Sequence, residues 1–227
     1  MYIYIILLET KFCLLIDLVM YRRILESDIN IFEESARLII AGSSGSGKSY
    51  FVSRLIRKYR KYFNNVIVIG TNLENIEDLD IKRDDNFNPL INEVLGKTLV
   101  IFDDVLYNKE KMIIASDSYV RARHNNTSLI FLTQNIYFSS PNYRVISLNC
   151  THIVIFRNRD IKQISCFGRT FLENEDVKTF VNLYKKVVLD KKYGYILVDF
   201  TKNMNNPLIL RTYVADESYE KVFKLYI

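Results

Sequence analysis

The stretch Gly42-Ser43-Ser44-Gly45-Ser46-Gly47-Lys48-Ser49 carries every fixed position of G-x-x-x-x-G-K-[ST], and Tyr50 follows it. Three of the chain's seven glycines lie within it. Glycines at that spacing let the backbone turn tightly with its N–H groups aimed inward. Those donors, with the amino end of a following helix, bind phosphate oxygens. Lys48 then reaches the β- and γ-phosphates of a nucleoside triphosphate, and the Ser49 hydroxyl holds Mg²⁺. Gly42 through Ser49, with Tyr50, form the expected nucleotide-binding set.

Two further segments complete that chemistry. In "LVIFDD" an apolar run ends in Asp103 and Asp104. A carboxylate at the end of a buried strand can hold the metal, most simply through water, and Asp103 has that place. Its neighbour Asp104 is placed to orient or deprotonate an attacking water. In "FLTQN" a strand ends in Thr133 and Gln134. The Gln134 amide can donate to a γ-phosphate and accept from the water, so it can sense hydrolysis.

These groups need a frame. Residues 36–42, 65–70, 98–104, 128–135 and 151–156 read as short, continuously apolar strands. After the glycines, Phe51, Leu55, Tyr59 and Phe63 form one helical stripe, with Arg54, Arg57, Lys58 and Lys61 largely off it. Residues 109–124 and 174–188 read as helices, and 71–92 as loop. Strands 193–200 and 208–214 read as a C-terminal β-hairpin. Apolar strands separated by helix-length segments make an α/β domain, a mainly parallel sheet covered by helices on both faces. The expected division is an apolar extension over residues 1–30 and a phosphate-loop domain over 31–227.

Composition adds bounds. The chain has 227 residues, 49% hydrophobic and 25% charged, with net charge +5. That is ordinary globular usage with a mild tilt toward polyanions. Cys13, Cys150 and Cys166 are too far apart for a zinc site and read as reduced thiols, hence a cytosolic or nuclear compartment. Glu9, Lys11 and Asp17 interrupt the apolar N-terminus before it reaches the ~20 residues of a membrane span. It reads as a packed or interfacial helix; a membrane anchor, or residues ahead of the true domain, are the alternatives.

The nucleotide chemistry can be narrowed. Asn108-Lys109-Glu110-Lys111 has lysine where a guanine-reading N-K-x-D needs aspartate, and it comes too early in the chain. An acidic pair suits an enzyme that activates water better than a small-molecule kinase with one acid and an arginine-rich lid. No L-S-G-G-Q signature is present. "LIIAGSSGSGKSYF", "LVIFDDV", "RARHNNTSLIFLTQNIYF" and "NCTHIVIFRNRD", in this order, resemble the FtsK–HerA superfamily of DNA-pumping ATPases. Within it they are most similar to the genome-packaging ATPases of poxviruses, virophages, adintoviruses and Maverick/Polinton elements. The resemblance runs from about residue 36 to the hairpin.

The resemblance implies a RecA-like (ASCE) P-loop NTPase core, with the glutamine strand between the phosphate-loop and acidic strands. It implies ATP and Mg²⁺ as ligands and a homo-oligomeric ring, hexameric or pentameric, around double-stranded DNA. Portal or vertex proteins of a capsid would be partners, and the setting a host nucleus or cytoplasmic virus factory, with the virion as another station. Family roles fall on Lys48 and Ser49 for phosphate and metal, Asp103 for metal, Asp104 for water and Gln134 for sensing. Many members carry Asp-Glu where this chain has Asp103-Asp104, which leaves the base less secure than the metal ligand. An arginine acting on a neighbouring subunit's nucleotide is expected from Arg123, then Arg121, with Arg157 and Arg159 as alternatives. Lys109–Lys111, Asn125–Asn126 and the segment ending in Arg144 are unranked candidates for contact with DNA. A cellular- or plasmid-type translocase or helicase, and a non-catalytic nucleotide-binding component, are the competing functions.

Overall fold

The computed structural model describes residues 21–24, 31–32, 34–70, 80–90, 95–171, 176–190, 192–201, 209–212 and 220–224. In chain order its strands are β1 (Tyr21–Ile24), β2 (Arg37–Ala41), β3 (Asn65–Gly70), β4 (Lys82–Arg83), β5 (Thr98–Asp103), β6 (Thr127–Thr133), β7 (His152–Phe156), β8 (Tyr195–Asp199), β9 (Ile209–Thr212) and β10 (Glu220–Lys224). The helices are α1 (Lys48–Tyr59), α2 (Lys109–Arg121), α3 (Pro141–Asn149), α4 (Ile161–Phe171) and α5 (Asp176–Asp190). The strands form one sheet in the order β1-β10-β9-β8-β7-β2-β6-β5-β3-β4. From β7 to β4 all neighbours are parallel; from β7 through β8, β9 and β10 to β1 they are antiparallel.

Period-two alternation explains why these strands are apolar throughout. Ile39, Val100, Phe102, Leu129 and Phe131 enter one core with residues of α2 to α5, such as Tyr119, Tyr143, Ile164 and Phe180. Their neighbours Leu38, Ile40, Leu99, Ile101 and Ile130 enter a second core with Phe51, Val52, Leu55 and Ile56 of α1. Both faces are therefore dry. Asp103 shares the parity of Leu99 and Ile101, which puts it on the α1 face at the end of β5.

The expected strand order holds, with β6 between β2 and β5. The hairpin holds as the β8–β9 pair. The loop read over residues 71–92 lies outside the described residues at 71–79 and 91–92; the described part includes the two-residue β4. Three further elements differ from the sequence reading. The segment ending in Arg144 is helical, because Ser140 caps α3 through its hydroxyl and Pro141 fills its first turn. Helix α4 occupies a stretch for which the sequence reading gives no element. Of the helix read at the N-terminus, residues 1–20 lie outside the described residues, and Tyr21–Ile24 is an edge strand on β10.

Candidate functional site

The phosphate loop joins β2 to α1 at the carboxyl ends of the parallel strands, where ligands of open α/β sheets bind. It is strapped to both neighbouring strands. Gly42 N donates to Thr133 O of β6 (3.2 Å), and Ser43 N donates to Arg157 O just past β7 (3.1 Å). Arg159 N also donates to Ser43 Oγ (3.3 Å). Helices α2 and α3 have their first-turn amides capped by Asn108 and Ser140. Helix α1 starts instead from Gly47, at φ 103°, with no side-chain cap. That left-handed turn suits glycine and leaves the helix's amino end available to an anion.

Lys48 folds over the loop and donates from Nζ to Gly42 O (2.6 Å) and Ser43 O (3.1 Å). Burial lowers its pKa, and the Asp103 carboxylate opposes that by attraction. The lysine and the metal-ligand candidate therefore feel each other directly. Ser46 Oγ is a buried hydroxyl with no hydrogen-bond partner among the described residues. It packs against Gly42 and does not line the cavity over the loop.

A cavity of about 540 Å³ opens over this loop. Its walls include Ser44, Gly45, Gly47, Lys48, Ser49 and Tyr50 from the loop and α1, Asp103 and Asp104 from the end of β5, and Thr133 and Gln134 from the end of β6. The structure thus brings the loop, the two acids and the amide to one volume. The donor chemistry fits a magnesium triphosphate. Ser49 and Asp103 are hard oxygen ligands, too few to cage the ion, which leaves room for phosphate and water.

Asp104 has φ 53°, in the left-handed region. Aspartate is among the few side-chain-bearing residues that accept this conformation, whereas longer acids rarely do. This supplies a physical reason for Asp rather than Glu after Asp103. Opposite it, Gly70 pairs with Asp103 and has φ 114°. A Cβ there would lie on the Asp103 carbonyl oxygen, so Gly70 is what lets β3 press against the acid. Asp85 accepts the Gly70 N–H (2.7 Å) and pairs with Lys111 (2.8 Å), so Lys111 already has a partner.

Some site residues carried no signal in the sequence. Asn135, after Gln134, meets Gln163 Nε2 of α4 at 3.5 Å. Gln163 Oε1 accepts from Ile136 N (3.1 Å) and Asn158 Nδ2 (3.4 Å). Tyr184 accepts from Asn158 N (2.9 Å) and donates to Phe156 O (2.8 Å). This chain of bonds links the amide-tipped strand to the segment after β7. Tyr193 and Tyr107 also line the cavity. Arg121 is exposed at the end of α2, and position 123 lies in the turn before β6. Both stand at the amino edge of the parallel strands, across the sheet from the cavity of their own chain. Arg157 and Arg159 flank Ser43 through their backbones.

No protein-family model matches the chain. In sequence it is similar to Uncharacterized protein V3 of Sputnik virophage, 28% identical over 180 residues that cover 71% of this chain and 70% of that one. In structure it is similar to the genome packaging NTPase B204 of Sulfolobus turreted icosahedral virus 2. The AMPPCP complex of B204 matches with TM-score 0.54 at 17% identity, over 85% of this chain and 99% of that chain. The AMP complex matches with TM-score 0.51 at 18% identity, over 75% and 94%. The sequence resemblance, the strand order and these neighbours agree on one architecture: the chain has the RecA-like α/β fold of a P-loop NTPase.

Proposed function

We propose that this protein is an ATP-hydrolysing motor that translocates double-stranded DNA and packages a viral or virus-like genome. The observation that carries the reading is the convergence of Lys48, Ser49, Asp103, Asp104 and Gln134 on one cavity over an uncapped helix. Its fold is that of a genome packaging NTPase, which supports the packaging role.

In this reading the loop amides and Lys48 hold the phosphates of ATP. Ser49 and Asp103 hold Mg²⁺, which when bound neutralises charge developing on the phosphates. Asp104 accepts the proton of the attacking water, and Gln134 orients that water and registers loss of the γ-phosphate. Water attacks the terminal phosphorus, the bond to the β-phosphate oxygen breaks, and ADP and phosphate leave. An arginine of a neighbouring subunit in a ring, Arg123 first and Arg121 next, stabilises the transition state. DNA is held through its phosphates, so binding falls steeply with salt and shows little sequence preference.

The test is ATP turnover by the assembled oligomer against double-stranded DNA concentration. Turnover rising with DNA, and falling at least about a hundredfold in Lys48→Ala, is the expected result. Nucleotide binding without turnover, with DNA present, would leave a structural nucleotide-binding component. DNA-independent turnover removes the motor but keeps the hydrolase.

A further inference from the structure

The sheet order gives the cavity two chemically different flanks. On one side of β2 lie β6 and β5, with Gln134, Asp103 and Asp104 at their ends. On the other lie β7 and β8, and the turn before β8 carries Lys192 and Tyr193. A triphosphate with its terminal phosphate toward the acids must therefore direct its nucleoside toward β7 and β8.

That flank is aromatic. The Tyr193 ring lies against the phosphate loop itself: a Cβ on Gly47 would be 2.6 Å from Tyr193 Cδ1. Tyr50, in the first turn of α1, pairs with it at 5.3 Å between ring centroids. Both rings remain open, 46% exposed for Tyr50 and 37% for Tyr193. Each carries a cation beside its face, Arg54 at 5.8 Å from the Tyr50 centroid and Lys192 at 5.2 Å from that of Tyr193. The support below is rigid, because Tyr195 packs edge-on to Phe51 of α1 (4.7 Å) and against Phe156 of β7 (5.2 Å).

Resting on the phosphate-loop reading above, we propose that Tyr193 and Tyr50 form the platform on which the nucleobase stacks, and that the site recognises the base by its face. Stacking on an aromatic face tolerates any base, and larger purine surfaces gain more than pyrimidines. At this flank the described cavity-lining residues are the loop, Tyr50 and Tyr193, and none offers an amide or carboxylate side chain to read a base edge. Lys192 and Arg54 are donors only, and cations near the rings suit the phosphate nearest the sugar as well as the base. Adenine and guanine nucleotides are then bound with similar affinity, and cytidine nucleotides more weakly.

Calorimetric titration of the full chain with Mg·ATP, Mg·GTP, Mg·CTP and inorganic tripolyphosphate tests this. ATP and GTP within about threefold of each other, with CTP weaker, is expected. Tyr193→Ala weakens ATP and GTP by roughly tenfold and leaves tripolyphosphate unchanged, while Tyr193→Phe restores purine binding. Tyr62→Ala, an exposed tyrosine that does not line the cavity, leaves all four unchanged. The proposal is overturned if Tyr193→Ala keeps wild-type ATP affinity, or if it weakens tripolyphosphate equally, which would make the ring a prop for the loop. Wild-type protein that binds neither ATP nor tripolyphosphate would overturn the phosphate-loop reading itself. Tripolyphosphate binding with a Tyr193-independent ATP affinity overturns the platform alone.

Discussion

The two edges of the parallel sheet are built to different rules. At the amino edge polar groups find partners. Ala36 N donates to Ser128 Oγ (3.2 Å), Arg37 N to Thr151 Oγ1 (2.8 Å) and Arg37 Nε to Asn149 O (2.6 Å). His152 meets Asp199 at 3.5 Å, with both side chains buried. At the carboxyl edge α1 is uncapped, Ser46 Oγ is orphaned, and Asp104 and Gly70 have left-handed backbone angles. Asn126, in the turn before β6, has φ 50° too, but asparagine in a tight turn tolerates it. The amino edge is arranged for stability, and the carboxyl edge keeps left-handed backbone angles and an uncapped helix around the cavity. Substitutions at the two edges should therefore separate activity from stability.

The largest separation is expected at Asp104. Asp104→Asn keeps a side chain that tolerates the left-handed angle but cannot take a proton. Turnover should fall by about 10²–10⁴-fold with an unchanged unfolding midpoint. Asp104→Ile should lose turnover and, in addition, about 1–2 kcal/mol of stability, because a β-branched residue is strained there. Denaturant unfolding beside steady-state turnover checks both. Equal stability of the two variants would mean that the backbone angle is not imposed by the fold.

Gly70→Ala couples the two properties. Its Cβ meets the Asp103 carbonyl at an angle that alanine resists, so about 2–4 kcal/mol of stability should be lost. The surviving folded protein should turn over more slowly, because Asp103 is displaced. Wild-type turnover with wild-type stability would show that β3 can retreat from the acid without consequence.

Asp199 tests the amino edge alone. Burial by itself would raise its pKa, but hydrogen bonds and charge from His152, with bonds from Thr201, hold it well below the usual carboxylate range. A depressed folded pKa contributes stability above the unfolded value of about 3.9, and that contribution is lost as pH falls below it. Asp199→Ala should cost about 2–3 kcal/mol at pH 7 and much less near pH 2, with turnover per folded molecule unchanged. A constant difference between the two proteins across that pH range would show that the carboxylate charge is not what stabilises.

The same contrast explains what the sequence disclosed. The phosphate loop, the acidic pair and the apolar strands β2, β3, β5, β6 and β7 were legible because each is local: a fixed spacing, or an apolar run with a polar end. Helix α3 is marked in the sequence only by its Ser140-Pro141 start, a signal that a turn shares. Helix α4 follows the polar run Arg157–Asp160 and holds a glycine, Gly168, which weakens any propensity argument. Tyr193 was illegible for a different reason. Its place depends on β8 lying two strands from β2, a long-range pairing that no window of sequence contains. The Asn135–Gln163–Asn158 bonds likewise exist only once α4 has folded back over the strand ends.

The smallest effect sharpens the comparison most, because its sign reverses. A buried hydroxyl without a partner costs the folded state its desolvation, and replacing it with a methyl group removes that cost. Ser46→Ala should therefore raise stability by about 0.5–1 kcal/mol in the nucleotide-free protein, where most buried substitutions lower it. The same hydroxyl packs against Gly42 inside the loop and is not among the residues that line the cavity. Saturating Mg·ATP should then stabilise both proteins by the same amount, and the mutant's advantage should persist. Thermal unfolding of both proteins with and without nucleotide reads this directly. A mutant less stable than wild type in the absence of nucleotide would mean that Ser46 already has a partner, and that the carboxyl edge is as fully satisfied as the amino edge.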